Sequence, residues 1–156
     1  MDREGAPQAL TWRGATPDDA AFLLELTDAT IRAYVRESGG VEERIRPWLE
    51  ERNAMMEWSI VLCNGEPVGA IACKRWPTII HLLSIHVVPE RQGQGIGTAM
   101  MQRLLSWADV LQLPIGLEVL KVNSDARRLY ERLGFVVGRQ DDKNYRMLRQ
   151  PAEQSR

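Results

Sequence analysis

The spacing of apolar residues predicts one strand and two helices in the N-terminal third of the chain. An apolar segment at Leu10–Arg13 is followed by Thr16-Pro17, a threonine cap with proline in the first turn, which is typical of a helix start. A helical pattern then continues to about Arg36 and ends before Gly39-Gly40. A second helical pattern runs from Val41 to about Asn53.

The next part of the chain has the pattern of three consecutive strands. Two apolar segments, residues 57–63 and 67–74, lie on either side of Asn64-Gly65, which is a strong signal for a two-residue hairpin turn. Trp76-Pro77 then precedes a third apolar segment at residues 78–88. These segments predict a three-stranded meander.

The C-terminal part alternates between the two patterns and completes the order of elements. Gly134 ends the last helical pattern. The predicted elements are a helix through residues 101–108, a strand at 115–120, a helix at 124–133 and two strands at 135–139 and 145–148. The predicted order of elements is therefore strand, helix, helix, three strands, helix, strand, helix and two strands.

The composition is that of a globular protein. Its 156 residues are 44% hydrophobic and 26% charged, and the formal net charge is −1, so neither nucleic acid nor an anionic membrane is expected as a partner. No apolar run reaches the roughly 18–20 residues that cross a bilayer. The first residues lack a signal-peptide pattern, so we expect a cytoplasmic protein. We expect a single domain over residues 1–156, with its core at about 10–149 and loose termini.

The two cysteines are predicted to be reduced core residues. If Asn64-Gly65 forms the turn, Cys63 faces Glu66 and Cys73 faces Met56, so the two thiols are not opposite one another and a disulfide is not expected. Two thiols alone also make a poor zinc site. The sequence therefore predicts no metal centre.

The segment Gln92-Gly93-Gln94-Gly95-Ile96-Gly97-Thr98 carries the clearest chemical signal. Its glycines let the main chain adopt a positive φ and approach a ligand, and the free N–H groups of the helix start attract an anion. A P-loop would need a lysine before Thr98, and a dinucleotide fingerprint that starts at Gly93 would need glycine at Thr98. The segment therefore predicts a phosphate cradle of another kind, for a phosphorylated small molecule.

Two motifs occur in order along the second half of the chain. The first is Q-x-x-G-x-G, formed by Gln92, Gly95 and Gly97, and the second is N-x-x-A-x-x-L-Y-x-x-x-G-F, from Asn123 to Phe135. In both, the chain resembles the GNAT superfamily of N-acetyltransferases, more loosely over about residues 10–149. The resemblance implies an α/β (α+β) fold with a mixed, mostly antiparallel sheet of six to seven strands flanked by about four helices. It also implies acetyl-CoA as the acyl donor.

The resemblance further implies which residues bind acetyl-CoA. The glycine segment, residues 92–98, would hold the pyrophosphate. The preceding strand would bind the pantetheine arm and the thioester through its main chain, at Ile85, His86 and Val87. Asn123 is a candidate contact to the pantetheine arm and Arg127 to the phosphates, with a helix cap and a solvated helix face as their structural alternatives.

Proton transfer needs an acid and a base. The resemblance assigns Tyr130 as the acid that protonates the coenzyme A thiolate, with packing in a helix face as the alternative. The strand glutamate of many family members is absent from residues 78–88, and His81 is the candidate base, because imidazole can accept a proton at neutral pH. Strict alternation places His81 on the same face as Ile85 and Val87. It places the His86 side chain on the opposite face, where we expect a structural role.

The amine acceptor is not specified by the sequence. The resemblance places its pocket near the first two helices, where possible lining residues are Tyr34, Glu37, Trp48 and Trp76, and Glu37 could pair with a cation. Small amines, amino acids and protein N-termini all remain possible, and the chain can be a homodimer. A different class of function, a non-catalytic acetyl-CoA-binding sensor or regulatory module, would retain the glycine turn and discard the acid and the base.

Overall fold

The structure, a computed structural model, describes residues 9–37, 39–40 and 42–153. Over these residues it has seven strands and four helices in the predicted order. Val41, the predicted start of the second helix, lies outside the described residues. The elements are β1 (Leu10–Gly14), α1 (Ala20–Glu37), α2 (Ile45–Ala54), β2 (Trp58–Cys63), β3 (Glu66–Arg75), β4 (Ile80–Val87), α3 (Ile96–Leu111), β5 (Ile115–Leu120), α4 (Ser124–Arg132), β6 (Val136–Gln140) and β7 (Asn144–Arg149).

The strands form one sheet in the order β1-β2-β3-β4-β5-β7-β6. The neighbours β4 and β5 are parallel, and the other neighbouring strands are antiparallel. At the hairpin between β2 and β3, Asn64 and Gly65 have φ angles of 52° and 81°, as a tight two-residue turn requires. The predicted mixed, mostly antiparallel sheet is confirmed.

Helices cover both faces of the sheet. On one face, α3 and α4 pack around a cluster that includes Ile80 and Met100. On the other face, Leu23 and Leu26 of α1 pack against Trp58, and α2 packs against α1. Successive residues of a strand point to opposite faces, so β2 and β3 contribute apolar side chains to both clusters. We refer to these two sides as the α3 face and the α1 face.

A bulge interrupts β4. Cys73 of β3 lies opposite Leu82, but its neighbour Ala72 lies opposite Ser84, so Leu83 is an extra residue in β4. Because the side-chain period of a strand is two residues, one extra residue exchanges the faces for the rest of the strand. Residues after the bulge therefore have the opposite parity to residues before it.

The bulge shows that the predicted direction of His81 is wrong. Strict alternation places His81 on the same face as Ile85 and Val87. In the structure Ile85 and Val87 pack with the cluster on the α3 face. His81, whose two neighbours in the strand are buried in that same cluster, points to the α1 face. The His86 side chain, predicted to point away from His81, lies on the α1 face with it.

The parallel strands β4 and β5 pair over three residues each. Ile80–Leu82 pairs with Ile115–Leu117, and beyond these residues the two strands diverge. The later residues of β4 have no partner in β5, so the main-chain groups on that edge face a groove instead of a strand.

Neither cysteine forms a disulfide. Cys63 lies opposite Glu66, as predicted. Burial raises the pKa of Cys73 to about 12, so this thiol stays protonated and unreactive at neutral pH. Among the described residues, no group of His, Cys, Asp and Glu side chains is arranged to hold a metal ion. No helix in that part of the chain is long and apolar enough to cross a membrane.

Candidate active site

The diverging ends of β4 and β5 enclose a groove of about 520 Å³. Its walls come from both strands, from α1 and from α4 with its cap residue. The polar or ionisable side chains of the lining residues are Thr30, Tyr34, Ser84, His86, Gln92, Glu118, Asn123 and Tyr130, and the predicted Ile85 and Val87 line it as well. The groove therefore brings together predicted site residues that are far apart in the sequence.

The glycine turn begins at Gln92, which lines the groove, and it has the geometry of an anion site. Gly93 and Gly95 have φ angles of 77° and 82°, a region that favours glycine. Gly95 precedes the first residue of α3, and no side chain caps the helix there. A Cβ atom at either glycine would meet nothing within 4 Å, so the space beside the turn is open. The first N–H groups of α3 and its dipole fit a diphosphate.

Neighbouring side chains fix the shape of the turn. Gln92 Nε2 donates a hydrogen bond of 3.1 Å to the carbonyl oxygen of Val87, which connects the turn to the end of β4. Gln94 Oε1 accepts a hydrogen bond of 2.9 Å from Arg91. The first turn of α3 contains the predicted residues Ile96, Gly97 and Thr98, of which Ile96 is buried.

Tyr130 is buried and lines the groove. It projects from α4, and its ring packs against Phe135 at a centroid distance of 5.7 Å. Burial raises the pKa of Tyr130 to about 12. The phenol is therefore protonated at neutral pH and can donate a hydrogen bond or a proton into the groove.

Asn123 caps α4 and contacts α1. Its Oδ1 accepts a hydrogen bond of 3.2 Å from the main-chain N–H of Ala126, which is the helix-capping alternative stated for it. The same oxygen accepts a hydrogen bond of 3.2 Å from Tyr34 Oη. Burial raises the pKa of Tyr34, and the charges of Asp125 and Glu37 raise it further.

His86 is fixed from both sides. Its Nδ1 lies 2.5 Å from Thr30 Oγ1 of α1, and its Nε2 lies 2.5 Å from Ser84 Oγ. Burial lowers the pKa of His86 to about 4, and the positive charge of Arg52 adds to this effect. The imidazole is therefore neutral at physiological pH. Its ring also lies near Trp58, with centroids 6.1 Å apart.

His81 and Glu118 lie on the α1 face near the point where the strands diverge. His81 is exposed and lies opposite Gly116 of β5, and it does not line the groove. Glu118, two residues after Gly116, lines the groove and pairs with Arg146 of β7 at 2.8 Å. Glu118 is not among the site residues that the sequence predicts. The alternation of Glu118 with the apolar residues Leu117 and Val119 predicts that its side chain points away from the core. The same pattern does not predict that the side chain borders a cavity.

Several predicted side chains do not line the groove. Arg127 pairs with Glu131 and lies over the ring of Tyr145. Trp48 lies beside Arg52, and Trp76 lies beside Lys74 in the turn between β3 and β4. Glu37 is exposed at the end of α1. Of the four predicted acceptor-pocket residues, which are Tyr34, Glu37, Trp48 and Trp76, the groove contains Tyr34.

Comparison with known proteins identifies the family of the chain. The sequence model of the acetyltransferase (GNAT) family matches residues 21–135, which include the diverging strands, the glycine turn and Tyr130. The chain belongs to the GNAT family. It is also similar to an uncharacterized N-acetyltransferase of Methanocaldococcus jannaschii, with 32% identity over 144 residues that cover 80% of this chain and 60% of that protein.

Solved GNAT structures share the fold. The N-acetyltransferase PaiA from Thermoplasma acidophilum, in complex with coenzyme A, superposes with a TM-score of 0.76 at 18% identity, over 91% of this chain and 99% of the other. An acetyltransferase from Salmonella typhimurium with acetyl-CoA superposes with a TM-score of 0.63 at 19% identity, over 95% and 97% of the two chains. The predicted superfamily and fold are confirmed.

Proposed function

We propose that this GNAT protein is an N-acetyltransferase that transfers the acetyl group of acetyl-CoA to the primary amine of a small molecule or a peptide, by direct attack of the amine on the thioester. The observation that carries the proposal is the divergence of β4 and β5. It opens a groove that is lined by Gln92 of the glycine turn and contains a buried, protonated tyrosine.

The groove fits the parts of the donor in order. The main-chain N–H groups at Gly95 and in the first turn of α3 would bind the pyrophosphate. The unpaired edge of β4 at Ile85–Val87 would pair with the amide groups of the pantetheine arm, as a strand pairs with a neighbour. Tyr130 also lines the groove, and its phenol would stabilise and protonate the leaving thiolate.

Two side chains are candidates to take the proton of the attacking ammonium. His81 is the base that the sequence predicts, and it lies on the α1 face beside the diverging strands, outside the lining of the groove. Glu118 is the second candidate, and it has the advantage that it lines the groove. Its carboxylate already pairs with Arg146, so it would have to leave or share that contact to take the ammonium proton.

The experiment is an acetyl-transfer assay with the purified full chain. Acetyl-CoA is combined with a panel of small amines, amino acids and peptides with free N-termini, while released thiol and acetylated product are both measured. We expect thiol release that depends on the amine, together with one acetyl group on the product. Binding of acetyl-CoA without transfer to any amine of the panel would instead favour the non-catalytic sensor or regulatory module.

A further inference from the structure

Three polar side chains of the groove form a chain of hydrogen bonds that neither donor binding nor protonation of the thiolate uses. Thr30 of α1 contacts His86 Nδ1, and Ser84 contacts His86 Nε2. Ser84 is 8% exposed and all three residues line the groove. A buried polar group costs free energy unless it is paired. These three side chains therefore need one arrangement of protons in which each hydrogen bond has a donor and an acceptor.

The contacts of Thr30 indicate where those protons lie. Its Oγ1 lies 3.0 Å from the carbonyl oxygen of Leu26, one turn earlier in α1, and donates its single proton there. Thr30 Oγ1 is then the acceptor toward His86, so His86 Nδ1 carries the proton of the neutral ring. His86 Nε2 therefore has a free lone pair, and Ser84 donates its hydroxyl proton to it.

This arrangement makes Ser84 Oγ a pure acceptor toward the groove. An ordinary serine hydroxyl can donate or accept, and toward an amine it could donate to the nitrogen lone pair. That lone pair must remain free to attack the thioester carbon. With its proton held by His86, Ser84 can only accept an N–H of the amine, which directs the lone pair away from the serine and toward the acyl group.

We propose that Ser84 Oγ accepts a hydrogen bond from the attacking amine and orients it against the thioester, and that His86 and Thr30 are positioning residues that hold the Ser84 proton. This inference rests on the proposed N-acetyl transfer. It adds an orienting contact only. Removal of the proton from the amine remains the role of His81 or Glu118. The low pKa of His86 is consistent with it, since a neutral imidazole keeps the acceptor nitrogen available.

The test combines kinetics with the tautomer of His86. Acetyl-CoA affinity is measured by calorimetry, and kcat/KM for a good amine is measured for the wild type, Ser84→Ala, His86→Gln and Thr30→Val. For Ser84→Ala we expect a loss of about ten- to a hundred-fold in kcat/KM with an unchanged Kd for acetyl-CoA, because positive charge develops on the amine nitrogen as it attacks and the lost hydrogen bond is then one to a charged group. Ser84→Thr, which retains the hydroxyl, should recover most of the activity.

Thr27→Val is the matched control for stability. Thr27 lies on the same helix, donates to the Leu23 carbonyl and accepts from Asn53 of α2, so its loss disturbs α1 to a similar degree without touching His86. Thr30→Val and Thr27→Val should lower the melting temperature alike. Only Thr30→Val should lower kcat/KM.

Nitrogen chemical shifts of His86 provide a readout that does not depend on activity. We expect the Nδ1–H tautomer in the wild type and its loss in Thr30→Val. An Nε2–H tautomer, or full kcat/KM in Ser84→Ala, would overturn the inference while leaving the acetyltransferase intact. A wild type that transfers acetyl to no amine would overturn the proposed function and this inference with it.

Discussion

Tyr34 Oη donates a hydrogen bond to Asn123 Oδ1 over 3.2 Å, and this contact ties α1 to the residue that caps α4. The two helices border the groove from the β4 side and from the β5 side. Because its pKa is raised, Tyr34 stays protonated at neutral pH and the contact persists. This hydrogen bond is thus a side-chain bridge between two residues that line the groove.

Removal of this bridge should loosen the acceptor side of the groove. For Tyr34→Phe we expect the free energy of unfolding to fall by about 0.5–1.5 kcal/mol, the net value of one hydrogen bond. We also expect a higher KM for the amine with little change in kcat, because Tyr34 positions α1 and is not assigned to the acyl chemistry. Denaturant unfolding and steady-state kinetics measure the two effects. An unchanged amine KM would restrict Tyr34 to a structural role.

Acetyl-CoA should stabilise the protein through the glycine turn. At a concentration about a hundred times Kd, binding adds about 2.7 kcal/mol, a clear rise in Tm. Gly95→Val should abolish the rise, because its backbone has a positive φ and the new side chain would fill the open space beside the turn.

Gly65→Val is the matched control for that experiment. Gly65 has a φ of 81° and equally open surroundings, but it lies in the hairpin between β2 and β3. Both variants should lower Tm without ligand. Retention of the acetyl-CoA effect in Gly95→Val would show that the turn does not bind the diphosphate.

Loss of the Tyr130 hydroxyl should affect turnover more than binding. For Tyr130→Phe we expect kcat to fall by roughly ten- to a thousand-fold with a near-normal Kd for acetyl-CoA, because negative charge on sulfur develops in the transition state. Tyr145→Phe is the control, since Tyr145 packs under Lys121 and Arg127 away from the groove. Equal kcat values in the wild type and Tyr130→Phe would assign Tyr130 to packing.

The general base can be identified from the pH dependence of kcat/KM. If the base is His81, His81→Ala removes the acidic limb of the profile and lowers activity throughout, whereas Glu118→Gln retains the limb. If the base is Glu118, the two results are exchanged. A limb that survives in both variants would show that neither side chain takes the proton and that water or another acid does.

A stability prediction concerns the start of α1. Asp19 accepts two hydrogen bonds from Arg13, at 2.7 and 2.8 Å, and one of 2.7 Å from the Thr16 N–H. Arg13 and then Thr16 lower the pKa of Asp19 to about 2. Since the folded pKa lies below the unfolded value of about 4, the contribution is present above pH 4 and is lost as pH falls toward 2.

Asp19→Asn should therefore destabilise the protein by about 1 kcal/mol at pH 7, a modest value because Arg13 is largely exposed. The difference from the wild type should shrink as pH falls from 4 to 2. The exposed neighbour Asp18 provides the control variant, Asp18→Asn, with little effect expected. Urea unfolding at several pH values measures both. A constant difference across this range would contradict the ion-pair origin.

The sequence predicts the order of elements and the glycine turn because both depend on local chemistry. The turn at Asn64-Gly65 and the start of α1 follow from residue types at fixed positions. The divergence of β4 and β5 does not depend on local chemistry, since it is set by where two segments that are distant in the sequence stop pairing. For that reason Glu118 and Ser84 could not be assigned to the groove from the sequence.

The predicted acceptor-pocket residues depend on the resemblance and on residue type. Whether such a side chain reaches the groove is decided by long-range packing. Trp48 and Trp76 have the aromatic rings that a pocket could use, yet each lies beside a cation outside the groove. Thr30 carried no signal, because a threonine within a helix usually bonds to its own backbone. Its contact with His86 depends on the distance between α1 and the sheet.

The extra residue at Leu83 makes sequence distance a poor guide to side-chain direction in β4. A relative with the same glycine turn but one residue fewer in this strand would direct its counterpart of His81 to the α3 face, away from the amine. Transfer of roles between such relatives therefore requires that both contain the bulge. A single-residue deletion at this point could move an ionisable group through the sheet and exchange one proton acceptor for another.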